Sequence, residues 1–502
     1  MSRSRQPKGS AVPADGPVWR VARHLGVYGV GSAISLGSSL LLLPVYATQF
    51  SPGQFGVVAT GQVIGLAAIT FARLGLNSGM FRFLAVYEAD GDVQGADRAV
   101  TSSVAAAVLS SLAVTLLMLA AWAVVGSSAS SDVRLSGNLI AANVVLSAPT
   151  DMALFALRAK QHSMSYVALS SASVILTTLL TAGSVLLLHG GVVAVFASTA
   201  VASVVTSLAG LISIRNHLKW ATFSIQELRR SLRFGLPSVP ALLADWVMQF
   251  SDRLFLTRFT SLAQVGVYSI GYRIGLIEQQ ILGTATSAAW DPFVLSEYRE
   301  PEGSRTIGRV ATYFAIIGMA LVVFISASAP VLLFVIHARP AYFAATSVVF
   351  LIAFANLFAA MQHLFSAPTS IRVRPELGTL FRGLGAVVNI VLNFALIPQF
   401  GMLGAAWSTV ATFVFTAAVT EVVSRRLWRI AYEYRKLLLI VVGGLATQVC
   451  IQLAQSSGVL VLTGSSPLWS ELLFAGWLLG TGTFSIDEVR ALSRRLRHAV
   501  AT

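Results

Sequence analysis

The chain predicts an all-α polytopic membrane protein of about fourteen transmembrane helices, arranged as two pseudo-symmetric six-helix lobes followed by two C-terminal helices. Three observations carry this expectation. Apolar runs near 20 residues recur along the sequence, the length that spans ~30 Å of hydrocarbon. Charged residues make up 11% of the 502 residues and mean hydropathy is +0.75, whereas a soluble domain carries about 25% charged residues. Most of the basic residues, finally, lie in alternate connections between the apolar runs. Strand-like alternation is absent, which argues against a β-barrel.

Residues 1–23 are polar, basic and rich in Ser, Pro and Gly, as in a cytoplasmic tail. The apolar run from near Leu25 is too long for a signal-peptide core and lacks a clear small-residue cleavage site, so it reads as the first span. The spans fall at about 24–47, 57–77, 101–126, 138–158, 165–188, 192–213, 235–258, 264–290, 308–336, 343–366, 380–397, 402–424, 437–456 and 468–485. One set of connections holds Arg82 and Arg98; Arg158 and Lys160; Arg215, Lys219, Arg229, Arg230 and Arg233; Arg299, Arg305 and Arg309; Arg372 and Arg374; Arg425, Arg426, Arg429, Arg435 and Lys436. The opposite set contributes only Arg134 and Arg339. By the positive-inside rule the first set and both termini are cytoplasmic.

A repeat supports two lobes. Ser51-Pro-Gly-Gln-Phe-Gly-Val57 matches Ser261-Leu-Ala-Gln-Val-Gly-Val267 at an offset of 210, and the same offset carries Gly191 and Ser198-Thr199 onto Gly401 and Ser408-Thr409. Six spans separate the copies, so the halves share one membrane orientation, as parallel repeats about an axis along the membrane normal do. The resulting division is 24–213 (N-lobe), 214–234 (cytoplasmic linker), 235–424 (C-lobe), 425–485 (spans 13 and 14) and 486–502 (cytoplasmic tail).

Several function classes recede at this stage. A net charge of +14 suggests nucleic acid, but the arginines lie in membrane-flanking connections, so no nucleic-acid partner is expected. The single cysteine, Cys450, offers neither a disulfide framework nor a Cys-rich metal site. No Walker-type phosphate loop occurs, and the connections are too short for a catalytic domain. No cofactor and no enzymatic activity are expected. A membrane glycan polymerase or ligase typically needs a large outer loop with charged catalytic groups, and here the outer loops are short and bare.

The chemistry concentrates in spans 7 and 8. On span 7, Ser238, Asp245, Gln249 and Asp252 follow i, i+7, i+11, i+14 spacing, a single helical face. Span 8 gathers Ser269, Tyr272, Arg273, Gln279 and Gln280 on one broad face. Span 1 carries Tyr28, Ser32, Ser35 and Ser39, and span 2 carries Thr70, Arg73 and Asn77. Four polar stripes facing one another would line a wet cleft between the lobes. At 1.5 Å per residue, Asp245 and Arg273 fall near the midplane, with Arg73 nearer the cytoplasmic end. An ionised group there costs ~2.5–3.5 kcal/mol on insertion scales, so it is expected to be paired, wet or functional. The substrate-binding candidates are Arg273, Arg73, Asp245, Gln249, Tyr272, Tyr28 and Asn77. Arg273 either faces substrate or joins the spans by pairing with Asp245 or Asp252. Asp245, Asp151 and Glu278 are the ion-coupling candidates, Asp252–Arg253 is read as a structural pair, and His363 is a candidate for pH coupling. Arginine suits a diphosphate because its planar fork donates two parallel hydrogen bonds and stays charged.

Four segments carry a family resemblance: Leu43-Pro-Val-Tyr-Ala47 with Ser51-Pro-Gly-Gln-Phe-Gly56; Leu74-Gly-Leu-Asn-Ser-Gly-Met-Phe-Arg-Phe83; Phe234-Gly-Leu-Pro237 through Asp252-Arg253 to Val265-Gly-Val-Tyr268; and Asn389-Ile-Val-Leu-Asn393 with Ile397-Pro398 and Gly401-Met-Leu-Gly-Ala-Ala-Trp407. From about residue 24 to 425 the chain resembles the polysaccharide flippases of the multidrug/oligosaccharidyl-lipid/polysaccharide exporter superfamily. The resemblance implies two six-helix lobes around a cationic cavity and alternating access. Its implied cargo is an undecaprenyl-diphosphate-linked oligosaccharide, moved to the outer leaflet for O-antigen, capsule or exopolysaccharide synthesis. Polysaccharide polymerase or export machinery are the implied protein partners. Arg273 matches the cavity-lining cation expected on span 8. Span 1 lacks the interior arginine of the related lipid II flippases, and the last two spans exceed the common twelve. A cation-coupled multidrug exporter of the same superfamily is the alternative, kept open by the acids of span 7.

Overall fold

The computed structural model describes residues 17–372, 374–456 and 466–483. Among the described residues all regular structure is helical. The N-terminal half runs α1 (Pro17–Gln49), α2 (Pro52–Ala72), α3 (Leu76–Asp90), α4 (Val93–Val125), α5 (Ser131–Ala159), α6 (Ser163–Leu186), α7 (Val192–Ile214) and α8 (Ile225–Gly235). The C-terminal half continues with α9 (Val239–Phe259), α10 (Leu262–Glu297), α11 (Gly303–Val335), α12 (Thr346–Phe365), α13 (Ala367–Ile371), α14 (Pro375–Leu427), α15 (Tyr434–Ser456) and α16 (Ser466–Gly480). Nine helical segments of the described residues are long and apolar enough to cross a membrane. The two helices that carry most of the intramembrane charge, α9 and α10, are not among them, and α1 contributes an apolar stretch at Ala33–Gln49.

Local chemistry sets the helix ends. Ser51 caps α2 in a full capping box, its hydroxyl accepting from the Gln54 amide while the Gln54 side chain accepts from the Ser51 amide. Its repeat mate Ser261 caps α10 by accepting from the Gln264 amide. Such caps satisfy amide donors that a helix start leaves orphaned. Gly191 precedes α7 and its counterpart Gly401 breaks α14, at φ 55° and ψ −130°. That left-handed φ suits glycine because it has no Cβ to clash. The sequence places a connection at 398–401; the chain instead turns on Gly401 alone, with Pro398 inside the helix. The first helix likewise begins at Pro17 rather than near residue 24, and the stretch between spans 2 and 3, read as a loop, holds the 15-residue α3. The tail 486–502 and most of the connection between spans 13 and 14 lie outside the described residues.

Within the first half, α5 packs on α4 and α7, and α6 packs on α1 and α7; within the second, α12 and α14 form the centre, flanked by α9, α10 and α11. The final helices α15 and α16 lie on α11. The halves meet where α2 packs along α10 and α9, and α1 along α10.

The connections gather at two ends. At the arginine-poor end, the Arg339 amide donates to Ala47 O at 3.1 Å, and its guanidinium donates to Thr48 O at 2.9 Å and Gln49 O at 3.1 Å. The Tyr342 hydroxyl donates to Phe50 O at 3.2 Å. Arg339 thus caps the carbonyl end of α1, where a cation also complements the helix dipole. At the same end α2 and α10 cross in backbone contact. A Cβ on Gly56 would fall 1.8 Å from Leu262 O, and one on Gly266 would fall 1.9 Å from Pro52 O. The Thr60 and Thr257 hydroxyls, 3.1 Å apart, bridge α2 and α9 just inside this crossing. The arginine-poor end is therefore shut.

Candidate functional site

Inside the closed end, α1, α2, α9 and α10 enclose a cavity of about 290 Å³, lined by Ser39, Gln62, Phe250, Arg253, Tyr272 and Arg273, among others. Toward the arginine-rich end it gives way to a cavity of about 220 Å³ that includes Thr70, Arg73, Asn77, Asp245 and Gln249. A larger one of about 700 Å³ follows between α9, α12, α13 and α14. Neighbouring cavities share wall residues: Leu66 and Phe250 between the first two, Asp245 and Gln249 between the second and third. The three form a stepped cleft from the middle of the molecule toward the arginine-rich end.

Arg273 is the half-buried cation of the innermost step. Its Nη2 donates to Gln62 Oε1 at 3.0 Å, and its guanidinium lies 5.1 Å from the centre of the Tyr46 ring and 5.6 Å from that of Phe55. No described carboxylate forms an ion pair with it, so the pairing with Asp245 or Asp252 weighed from sequence does not occur. A ring face and a neutral amide orient the guanidinium without neutralising it.

Arg253, buried in the wall of the same cavity, is held quite differently. Its Nη1 donates to Asp252 Oδ1 at 2.9 Å and to Gln249 O at 2.7 Å, and its guanidinium lies 3.8 Å over the Tyr272 ring. The Tyr268 hydroxyl donates to the second oxygen of Asp252, and the Tyr272 hydroxyl donates to Gln249 O at 3.0 Å. Asp252 and Arg253 are thus an ion pair, with Arg253 in the cavity wall. A buried pair contributes little net stability, yet removing one partner strands the other.

The remaining candidates separate. Arg73, at the end of α2, forms a salt bridge with Asp151 of α5. Asp151 is therefore the counter-ion of Arg73 rather than a free carboxylate. Asp245 faces two of the cavities, and its Oδ1 lies 3.4 Å from Arg382 Nε on α14. Arg382, which also lines the largest of the three cavities, is thus part of the cleft. Gln249 and Asn77 line the cleft, with Asn77 Oδ1 accepting from the Ser78 amide at 3.0 Å. Glu278 is fully buried, its oxygens have no hydrogen-bond partner among the described residues, and it lines none of the three cavities. The side chain of Tyr28 lies outside the described residues. His363 lines the largest cavity together with Gln362, Ser366, Thr369, Ser370, Thr379 and Arg374. That hydroxyl-rich wall gave no sequence signal, because it assembles from α12, α13 and the start of α14.

A hit to the family model for polysaccharide biosynthesis proteins spans residues 21–299. The chain belongs to that family. A comparison with curated protein sequences returns no match. Among solved structures, an inward-facing multidrug resistance MATE family transporter of the MOP superfamily superposes with TM-score 0.68 at 18% identity, covering 79% of this chain and 98% of that one. The lipid II flippase MurJ in an inward closed conformation superposes with TM-score 0.68 at 13% identity, covering 91% of this chain and 98% of that one. An outward-facing MATE family transporter gives TM-score 0.60 at 18% identity, with 83% and 97% covered. This member of the polysaccharide biosynthesis family therefore has the fold of the MOP superfamily.

Proposed function

We propose that the protein is a flippase that carries undecaprenyl-diphosphate-linked oligosaccharide repeat units from the cytoplasmic to the outer leaflet of a bacterial inner membrane by alternating access. Arg273 carries this reading: a cation with no carboxylate counter-ion among the described residues, in a cavity between the two halves of a membrane protein. Leaving it unpaired has a cost, which a bound anion offsets. Arg253 lies in the same wall but is paired with Asp252, so the planar fork of Arg273 is the donor that suits a phosphoryl group of a diphosphate. The cleft widens toward the arginine-rich end into the hydroxyl-rich cavity, room for the sugars that trail the phosphate. On this reading the described conformation is open toward the cytoplasm and receives cargo.

The alternative, a cation-coupled multidrug exporter, finds less support. A cationic drug needs an acid-dominated cleft, and here Asp245 faces Arg382, Asp252 pairs with Arg253 and Asp151 with Arg73. Glu278 remains the ion-coupling candidate without a described counter-ion. The test is polymer export in cells whose own flippase is deleted. Arg273→Ala should abolish export at unchanged membrane abundance, whereas full export would remove Arg273 from the mechanism. Dye resistance on overexpression would favour the alternative.

A further inference from the structure

The linker between the halves ends in α8, which packs Leu228 and Leu232 against the core of the first half while its outer face mixes cations with apolar side chains. Its buried positions are Glu227, Ser231 and Gly235, spaced four apart, while Ile225, Phe234, Arg229, Arg230 and Arg233 are exposed. Its small, polar stripe lies on α3 in backbone contact: a Cβ on Gly79 would fall 2.3 Å from Ser231 O. Side chains lock the two helices together. The Tyr87 hydroxyl donates to Glu227 Oε2 at 2.9 Å and accepts from Arg230 Nη1 at 2.9 Å. Arg82 of α3 lies 4.5 Å over the Phe234 ring, and Arg230 lies 4.5 Å over Phe83. Just before α8, Trp220 and Phe223 are also exposed. The result is a raft of two short helices at the arginine-rich end, showing arginines interleaved with aromatic and aliphatic side chains.

Exposed apolar side chains beside cations are unfavourable in bulk water but suit the bilayer interface, where rings sit among headgroups and arginines meet anionic lipid. Two arginines of the raft are engaged with ring faces. Arg229 and Arg233, one helical turn apart, are exposed and form no ion pair with any described residue. We propose that the α3–α8 raft docks on the headgroups of anionic phospholipids in the leaflet facing the arginine-rich end, anchoring the linker between the halves at the membrane surface. The argument is charge complementarity: the unpaired cations sit among side chains that belong at the depth of the phosphate groups. The docking is independent of which cargo occupies the central cleft.

The test uses the full-length protein reconstituted in vesicles of phosphatidylcholine alone or of phosphatidylcholine mixed equally with phosphatidylglycerol. Phosphatidylglycerol should raise the thermal unfolding midpoint, and Arg229→Gln/Arg233→Gln should lose at least half of that rise while unfolding normally in phosphatidylcholine. Arg425→Gln/Arg426→Gln, at the end of α14, should keep it. The rise of the unmodified protein should also shrink at high salt, because exposed charges are screened; this arm stands even if the double variant fails to fold. An equal midpoint in both vesicles, a full rise in Arg229→Gln/Arg233→Gln, or a rise that ignores salt would each overturn the proposal.

Discussion

Consider Gly56→Ala at the crossing of α2 and α10. The added methyl would meet the Leu262 carbonyl at 1.8 Å, whereas real Cβ contacts essentially never fall under 3.0 Å. The obstacle is backbone, so no rotamer change relieves it, and the two helices must separate at the closed end. Overpacking of this kind costs ~1–3 kcal/mol. Because the clash exists only where the helices touch, that cost falls on the closed state and lowers its population relative to a state open at this end by about 5- to 150-fold. The assay is a cysteine pair across the seam: Thr60→Cys with Thr257→Cys, at hydroxyls now 3.1 Å apart, in a Cys450→Ser background. Oxidation should cross-link the pair readily when Gly56 is present and several-fold more slowly in Gly56→Ala, at equal membrane abundance. Equal cross-linking would mean that the crossing yields without opening, and the steric reasoning would fail.

Three further outcomes follow from the same contacts. Arg339→Ala removes the guanidinium donors that hold Thr48 O and Gln49 O, so the Thr60–Thr257 cysteine pair should also cross-link more slowly, without the helix separation forced by Gly56→Ala. Asn389→Ala should lower the thermal midpoint. Asn389 Oδ1 accepts from Ser251 Oγ at 3.1 Å and from Asn393 Nδ2 at 2.9 Å, and each buried donor left unmatched costs ~1–3 kcal/mol. Arg73→Ala should destabilise more than the Arg73→Ala/Asp151→Ala pair, with a coupling of ~0.5–3 kcal/mol in a thermal double-mutant cycle; additive effects would show the salt bridge contributes nothing.

Much of the architecture was legible because its chemistry is local. The repeat pairs Ser51 with Ser261, and in the structure both cap their helices, since a cap needs only its own turn. The uneven spread of arginines among the connections was likewise visible, and the connections do gather at two ends. The site was legible residue by residue but not as a set of partnerships. Arg73 and Asp151 lie on different helices of the first half, and Asp245 and Arg382 on different helices of the second; span-by-span reading cannot foresee which side chains packing will join. Gln62, Tyr46 and Phe55 escaped notice because a neutral amide and two rings are unremarkable until Arg273 rests among them. The repeat contained Gly56 and Gly266 without disclosing that they mark the crossing of the two halves. The helix α3 was missed because its charges, Arg82, Glu88 and Asp90, suggest a hydrated loop when its partner α8 is not in view.

The most direct measurement is binding of a short-chain polyprenyl diphosphate to the purified protein, followed by native mass spectrometry, with the corresponding prenyl alcohol for comparison. The diphosphate should bind the unmodified protein at least tenfold more tightly than the alcohol, and Arg273→Ala should erase that preference while Arg425→Gln keeps it. A preference that survives Arg273→Ala, or one that never appears, would contradict a central anion site between the two halves.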